Sequence, residues 1–387
     1  MSAKYKAAII GCGSIGRAHC DGYQLNEEVE IVAVADPLAV ARGEYMENFA
    51  IPRGYATIEE MLQKERPDFV SVCLWHPLHP EATIAAARAG VKAVICEKPM
   101  AISLGAAKSM IEACDEHGVK LIISHQRRFT PGWEKGRELV QEGAIGTPLW
   151  VNCQVREGLL NCGTHAIDGA RFVLGDPAAQ WVMGAVERRT DRYERDTPIE
   201  DRCMGLVRMQ DGLQLFIDAD LDPEKGRAGA FLIRGSDGII DVSERRTLLF
   251  NVASNGWQQV DLGVPEEDIK AIGGATNGAQ VRELIAWIEG GDEHRCAGTR
   301  ALATVEIMMA LYESARCHGV VHLPLQEEAY PLQLMVDEGK LPPEGERYDI
   351  RQFLKRDHYD EATYLELRDQ GLGHHQAMEK LKEAAGE

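Results

Sequence analysis

Three short stretches hold residues whose types and spacing can do chemistry. In Asn161-Cys-Gly-Thr-His165-Ala-Ile-Asp168, an imidazole lies between an amide four residues before it and a carboxylate three residues after it. Glu97-Lys98-Pro99 sets an ammonium at the end of the apolar run "KAVIC". Gly11-Cys-Gly13-Ser14-Ile15-Gly16 has its glycines at the spacing of a phosphate-binding turn. An imidazole titrates near neutral pH and can take a proton from a hydroxyl. An ammonium beside the same oxygen steadies the negative charge that develops there.

The elements that must position these groups follow from periodicity. "YKAAIIG", "EIVAVAD", "DFVSVCL", "KAVIC" and "KLIIS" read as strands. Between them fall a helix from about Ser14 to Tyr23 and another through Phe49. Next come "TIEEMLQK" with a capping box of Thr57 and Glu60, "EATIAAARAG" between Pro80 and Gly90, and a helix from Ser103 to Gly118. Continuous apolar strands alternating with helices predict an α/β, doubly wound parallel sheet covered on both faces.

The glycine turn falls on the first strand–helix junction. Gly11 permits the tight turn, Gly13 the close approach of a pyrophosphate, and Gly16 close packing of helix on strand. Ser14 and Ile15 open the helix whose N-terminus would receive the phosphates. Asp36 ends the second strand 20 residues after Gly16, placed to accept hydrogen bonds from ribose hydroxyls and to repel a 2′-phosphate. Pro37, not an arginine, follows it, so the expected cofactor is NAD, with NADP the lesser alternative.

Beyond Gly146 the pattern changes to short β-rich segments, "LWVNCQV", "CMGLVRM", "LQLFIDAD", "AFLIRG", "GIIDV" and "TLLFNV", as an antiparallel sheet requires. Helices return in "GAQVRELIAWIEGG" and "TRALATVEIMMALYESARCHG". With 387 residues, two domains and a tail are expected: a dinucleotide-binding domain over 1–125, a substrate-binding and oligomerisation domain over 126–325, and a C-terminal helical extension or arm over 326–387.

A formal charge of −19, from 42 basic and 61 acidic residues, argues against nucleic acid or an anionic membrane as partner. None of the ten cysteines forms a CxxC pair and several sit in apolar runs, which reads as buried thiols in a reducing compartment. The N-terminal apolar run is too short for a signal peptide, and a cytoplasmic protein is expected. No metal is expected, because nothing near His165 and Asp168 supplies a third ligand.

On residue types alone the site stays open. Lys98 reads either as a group facing a nicotinamide or as a solvated lysine in a loop, and His165 either as a base or as a satisfied histidine opening a helix.

The glycine fingerprint, Asp36, the His79 segment, Glu97-Lys98-Pro99, "QRRFTP" at 126–131 and "GTHAIDGARFVLGD" together resemble the Gfo/Idh/MocA oxidoreductases over roughly residues 5–325. The resemblance implies a Rossmann domain, then an α/β domain whose large, open, mostly antiparallel sheet makes a homodimer or homotetramer contact. Between them would lie a site for a carbohydrate or polyol. It also implies that Lys98 and His165 surround the reacting hydroxyl together with position 161, where this chain has Asn rather than the family's Asp. His165 is then the base, Lys98 its electrostatic partner, and Asn161 a positioning group.

Arg127, Arg128 and Asp168 are further substrate candidates. One of the two arginines serves equally well as a structural ion-pair partner, and Asp168 as a helix anchor. Trp75, His76, His79 and Glu97 border the cofactor in this reading, and Trp75 can equally pack the domain. The leading expectation is NAD-dependent oxidation of a sugar, sugar acid, glycoside or cyclitol. Glycoside cleavage through transient oxidation, elimination and re-reduction is the alternative, and a non-catalytic sensor of NAD and sugar the third. The tail, broken by Pro342-Pro343, is expected either to pack on its own domain or to act as an arm over a site or neighbouring subunit.

Overall fold

The computed structural model describes residues 4–385 apart from 156, 222–229, 271–272, 355–359 and 373. Its first sheet contains β1 (Tyr5–Ile10), β2 (Val29–Ala35), β3 (Gly54–Tyr55), β4 (Phe69–Val72), β5 (Ala93–Cys96) and β6 (Lys120–Ile123). All are parallel, in the order β3-β2-β1-β4-β5-β6. Helices α1 (Ser14–Gln24), α2 (Ala39–Asn48), α3 (Ile58–Glu65), α4 (His79–Arg88) and α5 (Leu104–Glu116) make the crossovers. Every residue of β4 and β5 is buried, as strands covered on both faces must be. The order reverses between β1 and β4, and ligands bind beyond the carboxyl ends of strands at such a switch. Thr57 caps α3 by accepting from the Glu60 amide, but the Glu60 carboxylate binds Lys64 instead of closing the capping box.

The second unit begins with α6 (Pro131–Gln141) and β7 (Pro148–Val155). One π-helical turn, Gly158–Gly163, then leads into α7 (Thr164–Val173). Next come β8 (Ala179–Glu187), the hairpin β9 (Arg192–Glu194) and β10 (Thr197–Pro198), β11 (Arg202–Met209), β12 (Gln214–Ala219), β13 (Phe231–Gly235), β14 (Gly238–Ser243), β15 (Arg246–Asn251) and β16 (Gln258–Gln259). With β17 (Val321–His322) they form a nine-stranded sheet, β16-β15-β14-β13-β7-β12-β11-β8-β17, antiparallel except for the pair β7 and β12. Residues alternate buried and accessible along β11. One face is covered by helices, and the other exposes Trp150, Met183, Met204 and Phe250.

The chain then passes through α8 (Glu266–Lys270), α9 (Gly274–Ile288) and α10 (Gly298–Cys317). Although α9 is far along the chain, its Val281, Leu284 and Ile285 complete the core of the first sheet beside Tyr23 and Phe69. The tail holds α11 (Pro331–Asp337), β18 (Tyr348–Asp349), α12 (Glu361–Asp369) and α13 (His374–Ala385). The last two residues of the final predicted helix, 386–387, lie outside the described residues.

The tail is not purely helical, as the sequence pattern implied. Tyr348 and Asp349 pair in parallel with Arg192 and Tyr193, so β18 joins β9 and β10 in a separate three-stranded sheet. Two residues are too short to show a strand period, and the pairing partner lies far back in the chain. All ten cysteines are free thiols, and only Cys317 is fully exposed. No helix among the described residues is long and apolar enough to cross a membrane.

Candidate active site

The glycine turn joins β1 to α1. Gly11 adopts φ +94°, and a Cβ there would stand 2.5 Å from the Cys73 carbonyl oxygen. A Cβ on Gly16 would meet the Tyr45 hydroxyl at 2.6 Å, which keeps α1 tight against its neighbours. A Cβ on Gly13, by contrast, would meet nothing within 4 Å, and Ser14 and Ile15 are exposed. No side chain caps α1 and no acidic residue stands in its first turn. The N-terminus therefore keeps the open amides and positive dipole end that a pyrophosphate needs. Asp36, just past β2, is fixed by the amides of Cys12 and Leu38, each 2.9 Å from a carboxylate oxygen. These residues fit a bound NAD.

Other strand ends of the same sheet edge carry the remaining groups. After β4, half-buried Trp75 leads into His76, whose Nε2 lies 3.2 Å from Thr197 Oγ1 on β10. His79 is buried between the carbonyls of Leu74 (3.0 Å) and Pro99 (2.9 Å), tying the loops after β4 and β5 together. Burial pushes both imidazoles below their ordinary range. After β5, the Glu97 carboxylate turns back to His19 of α1 at 3.0 Å. Burial alone would raise Glu97, but the His19 hydrogen bond and neighbouring positive charges hold it lower.

Lys98 points the other way. Its Nζ donates to Asn161 Oδ1 at 2.9 Å, so the amide and the ammonium meet across the two units. Burial lowers the Lys98 ammonium from its ordinary value, opposed by Glu97, Cys162 and Glu194. Asn161 sits in the π-helical turn, a feature frequent at functional sites. Two buried or nearly buried carboxylates hold that turn: Asp220 accepts from the Glu157 and Gly158 amides (2.9 and 2.7 Å), and Glu200 from the Leu159 amide (2.6 Å).

His165, in the first turn of α7, is only 4% exposed. Its ring meets the ring of His125 edge-on at 6.1 Å, and its Nδ1 is buried with no hydrogen-bond partner among the described residues. Burial, with Arg127, Lys98 and His125 nearby, holds this imidazole well below its ordinary range and therefore neutral. Arg127 donates to Glu244 at 3.0 Å, and its Nη1 is a second buried atom without a partner among the described residues. Two orphaned buried atoms on neighbouring groups are what a site shaped for a polar ligand presents.

Arg128 and Asp168 have a different placement. Arg128 donates through Nε and Nη2 to Asp168, both at 2.7 Å, and through Nη1 and Nη2 to Asp176 at 3.0 and 2.8 Å. Its remaining Nη1 proton goes to the Arg295 carbonyl. All five donors are used, so the ion-pair role open to either arginine falls to Arg128, and Asp168 anchors α7. Asp168 also faces His125 Nδ1 at 3.3 Å. Burial pushes His125 down to about 4.

Sequence reasoning missed His125, although it directly follows a strand end. It also missed Glu194, which accepts from Asn161 Nδ2 at 2.9 Å and from Arg195 at 2.7 Å. Glu194 stands in the charge-rich stretch "RYERD", which reads as a solvated surface, yet its side chain is 1% exposed. Among the described residues no group of three or more His, Cys, Asp or Glu side chains is placed to hold a metal ion.

A Rossmann sheet with an uncapped glycine turn and a lysine at its ligand edge, joined there to a second α/β unit bearing an amide and a histidine, is the architecture of a dinucleotide-dependent oxidoreductase. A model of the oxidoreductase family with NAD-binding Rossmann fold matches residues 5–125, and one of the GFO/IDH/MocA C-terminal domain matches residues 156–241. The chain belongs to the Gfo/Idh/MocA family of NAD-dependent oxidoreductases.

It is 28% identical over 360 residues to a D-apiose dehydrogenase of Paraburkholderia graminis, spanning 85% of this chain and 92% of that protein. It is 30% identical to the D-glucoside 3-dehydrogenase of Escherichia coli, over 56% of this chain and 70% of the other. In fold it is similar to levoglucosan dehydrogenase in complex with NADH and levoglucosan, with TM-score 0.71 and 21% identity over 83% of this chain and 99% of that one. It is similarly close to the WlbA dehydrogenase of Bordetella pertussis in complex with NADH and UDP-GlcNAcA, with TM-score 0.70 and 21% identity over 84% and 99%.

Proposed function

We propose that this oxidoreductase acts on a secondary hydroxyl of a sugar, sugar acid, glycoside or cyclitol, with His165 as base and Lys98 beside the reacting oxygen. The observation that carries the reading is the contact of Lys98 Nζ with the Asn161 amide at the carboxyl edge of the parallel sheet, with His165 buried within reach of the Lys98 charge and its Nδ1 without a partner among the described residues. The relatives named for apiose, glucoside and inositol oxidation support this substrate class. The dinucleotide, when bound, supplies the hydride acceptor.

This chain's residues do the rest. Neutral His165 takes the hydroxyl proton. Its lowered basicity makes it a weak base, and the Lys98 ammonium offsets this by stabilising the developing alkoxide. Asn161 holds Lys98 in place, and Arg127, with its unpartnered Nη1, orients a neighbouring substrate hydroxyl. The uncovered face of the nine-stranded sheet, with Trp150, Met183 and Met204, is the contact between subunits in this proposal.

The test is a set of progress curves in excess NAD with pyranoses, sugar acids, inositols and glycosides, following NADH and substrate together. NADH rising in step with substrate loss is expected. Substrate consumed without NADH would replace this reading with glycoside cleavage by a recycled cofactor.

A further inference from the structure

Among the buried titratable groups that the mechanism above does not use, Glu194 stands nearest to the Lys98–Asn161 contact. Glu194 lies directly behind Asn161, and its Oε2 is buried without a hydrogen-bond partner among the described residues. The contacts run in one line: Lys98 Nζ donates to Asn161 Oδ1 at 2.9 Å, and Asn161 Nδ2 donates to Glu194 Oε1 at 2.9 Å. A carboxylate can only accept and an ammonium can only donate. The amide is therefore held in one orientation by charge at both ends, and it carries the influence of the carboxylate to the lysine.

The surroundings are built to hold that carboxylate. Arg195 and Asp196, at the tip of the β9–β10 hairpin, both adopt left-handed φ, +52° and +63°. Such a conformation in non-glycine residues costs free energy and persists only where the surroundings over-determine it. The tail does this: Asp349, in β18, accepts from the Arg195 amide at 3.0 Å and the Asp196 amide at 2.7 Å. Arg351 then reaches Glu194 at 3.5 Å and Glu157, at the mouth of the π-helical turn, at 2.9 Å.

We infer that Glu194 is the positioning carboxylate of this site, acting on Lys98 through Asn161, and that positions 161 and 194 form a coupled pair in which one must be an amide and the other an acid. This rests on the reading of Lys98 and His165 as the reacting groups. Two acids there would face each other across one hydrogen bond and repel, which raises the proton affinity of the pair. Two amides would leave Lys98 with Glu97 but without the charge behind position 161.

A double-mutant cycle of Asn161→Asp, Glu194→Gln and the double variant, in the full-length protein, decides the matter. Groups facing Lys98 are Glu97, Cys162, Glu194, Arg195 and the imidazoles of His76, His125 and His165. Arg195, Arg351, Lys98, Cys162, Tyr330 and the Asn161 amide face Glu194.

Each single substitution is expected to lower kcat with little change in NADH affinity. The double variant is expected to recover, giving a coupling of roughly tenfold, mid-range for residues in contact. Because Glu194 raises the basicity of Lys98, the alkaline limb of the kcat–pH profile should move to lower pH in Glu194→Gln. A merely structural glutamate would not shift that limb.

Thermal midpoints give a readout independent of turnover. In Asn161→Asp the paired acids hold an extra proton in the folded state, so its deficit against wild type should grow as pH rises from about 5 to 8 and vanish in the double variant. If the double variant simply combines the two single effects, in midpoint and in kcat, the inference is overturned. If wild type turns over no sugar or polyol at all, the substrate reading fails, and the midpoint cycle still decides the coupling.

Discussion

The two ends of the ligand edge are built in opposite ways. At the glycine turn almost everything is backbone: an uncapped helix end, a left-handed Gly11 and an open Gly13, all within one short stretch. At the proposed catalytic end almost everything is side chain. Charged and polar groups converge from after β5 and β6, from the π-helical turn, from α7, from β9 and from the tail. A site of the first kind tolerates changes of side chain but not of backbone conformation. A site of the second kind depends on each buried charge keeping its partner, because an orphaned buried charge costs far more than the pair contributes.

Breaking the buried ion-pair network beside the side-chain end should have the larger effect on stability. Arg128→Met removes the guanidinium that five acceptor contacts hold between Asp168, Asp176 and the Arg295 carbonyl, and leaves two carboxylates buried without it. A loss of about 3–5 kcal/mol is expected, read from thermal or denaturant unfolding.

The acid response sharpens this. Burial alone would raise Asp168 and Asp176, but Arg128 holds both below the ordinary carboxylate range. Their contribution is complete above the unfolded value of about 4 and is lost as pH falls through the lowered folded values. His125, pushed by burial from 6.5 to about 4, adds a loss that begins as pH falls through 6.5 in wild type. In Arg128→Met burial prevails, and the two carboxyls take up protons at higher pH. The gap between wild type and variant should therefore narrow on acidification. A gap that stays constant would mean that the ion pair carries little of the stability assigned to it.

The glycine end should show a smaller energetic effect with a specific consequence for binding. Gly11→Ala forces a Cβ to within 2.5 Å of the Cys73 carbonyl oxygen at φ +94°. Strain of about 1–3 kcal/mol is expected, with NADH affinity falling alongside the unfolding midpoint. Unchanged NADH affinity would show that the turn is not the pyrophosphate seat.

The same contrast explains what could be read from the chain. The glycine fingerprint, Asp36 and the alternation of strands and helices are local patterns, and each is found where its spacing implies. Lys98 and Asn161 are in hydrogen-bond contact, and His165 is buried within reach of the Lys98 charge. An ion-pair role for one of Arg127 and Arg128 was open, but nothing in "QRRF" distinguishes the arginine facing α7 from its neighbour or names Asp168 as its partner. Glu194 was not legible. Its partners lie at 98 through Asn161, at 195 and at 351, separations with no period, and its own stretch is as charged as a solvated loop. β18 was hidden for the same reason, since its two residues mean nothing until Arg192 and Tyr193 are beside them.

The measurement that tests the division most directly is His165→Gln, with NADH affinity and turnover determined on the same preparation. Unchanged NADH affinity with turnover lower by about 10²–10⁴, the contribution of a positioned base, is the result this structure predicts. Turnover near wild type would remove His165 as the base, and a matching loss of NADH affinity would show that the two ends of the edge are not separate in function.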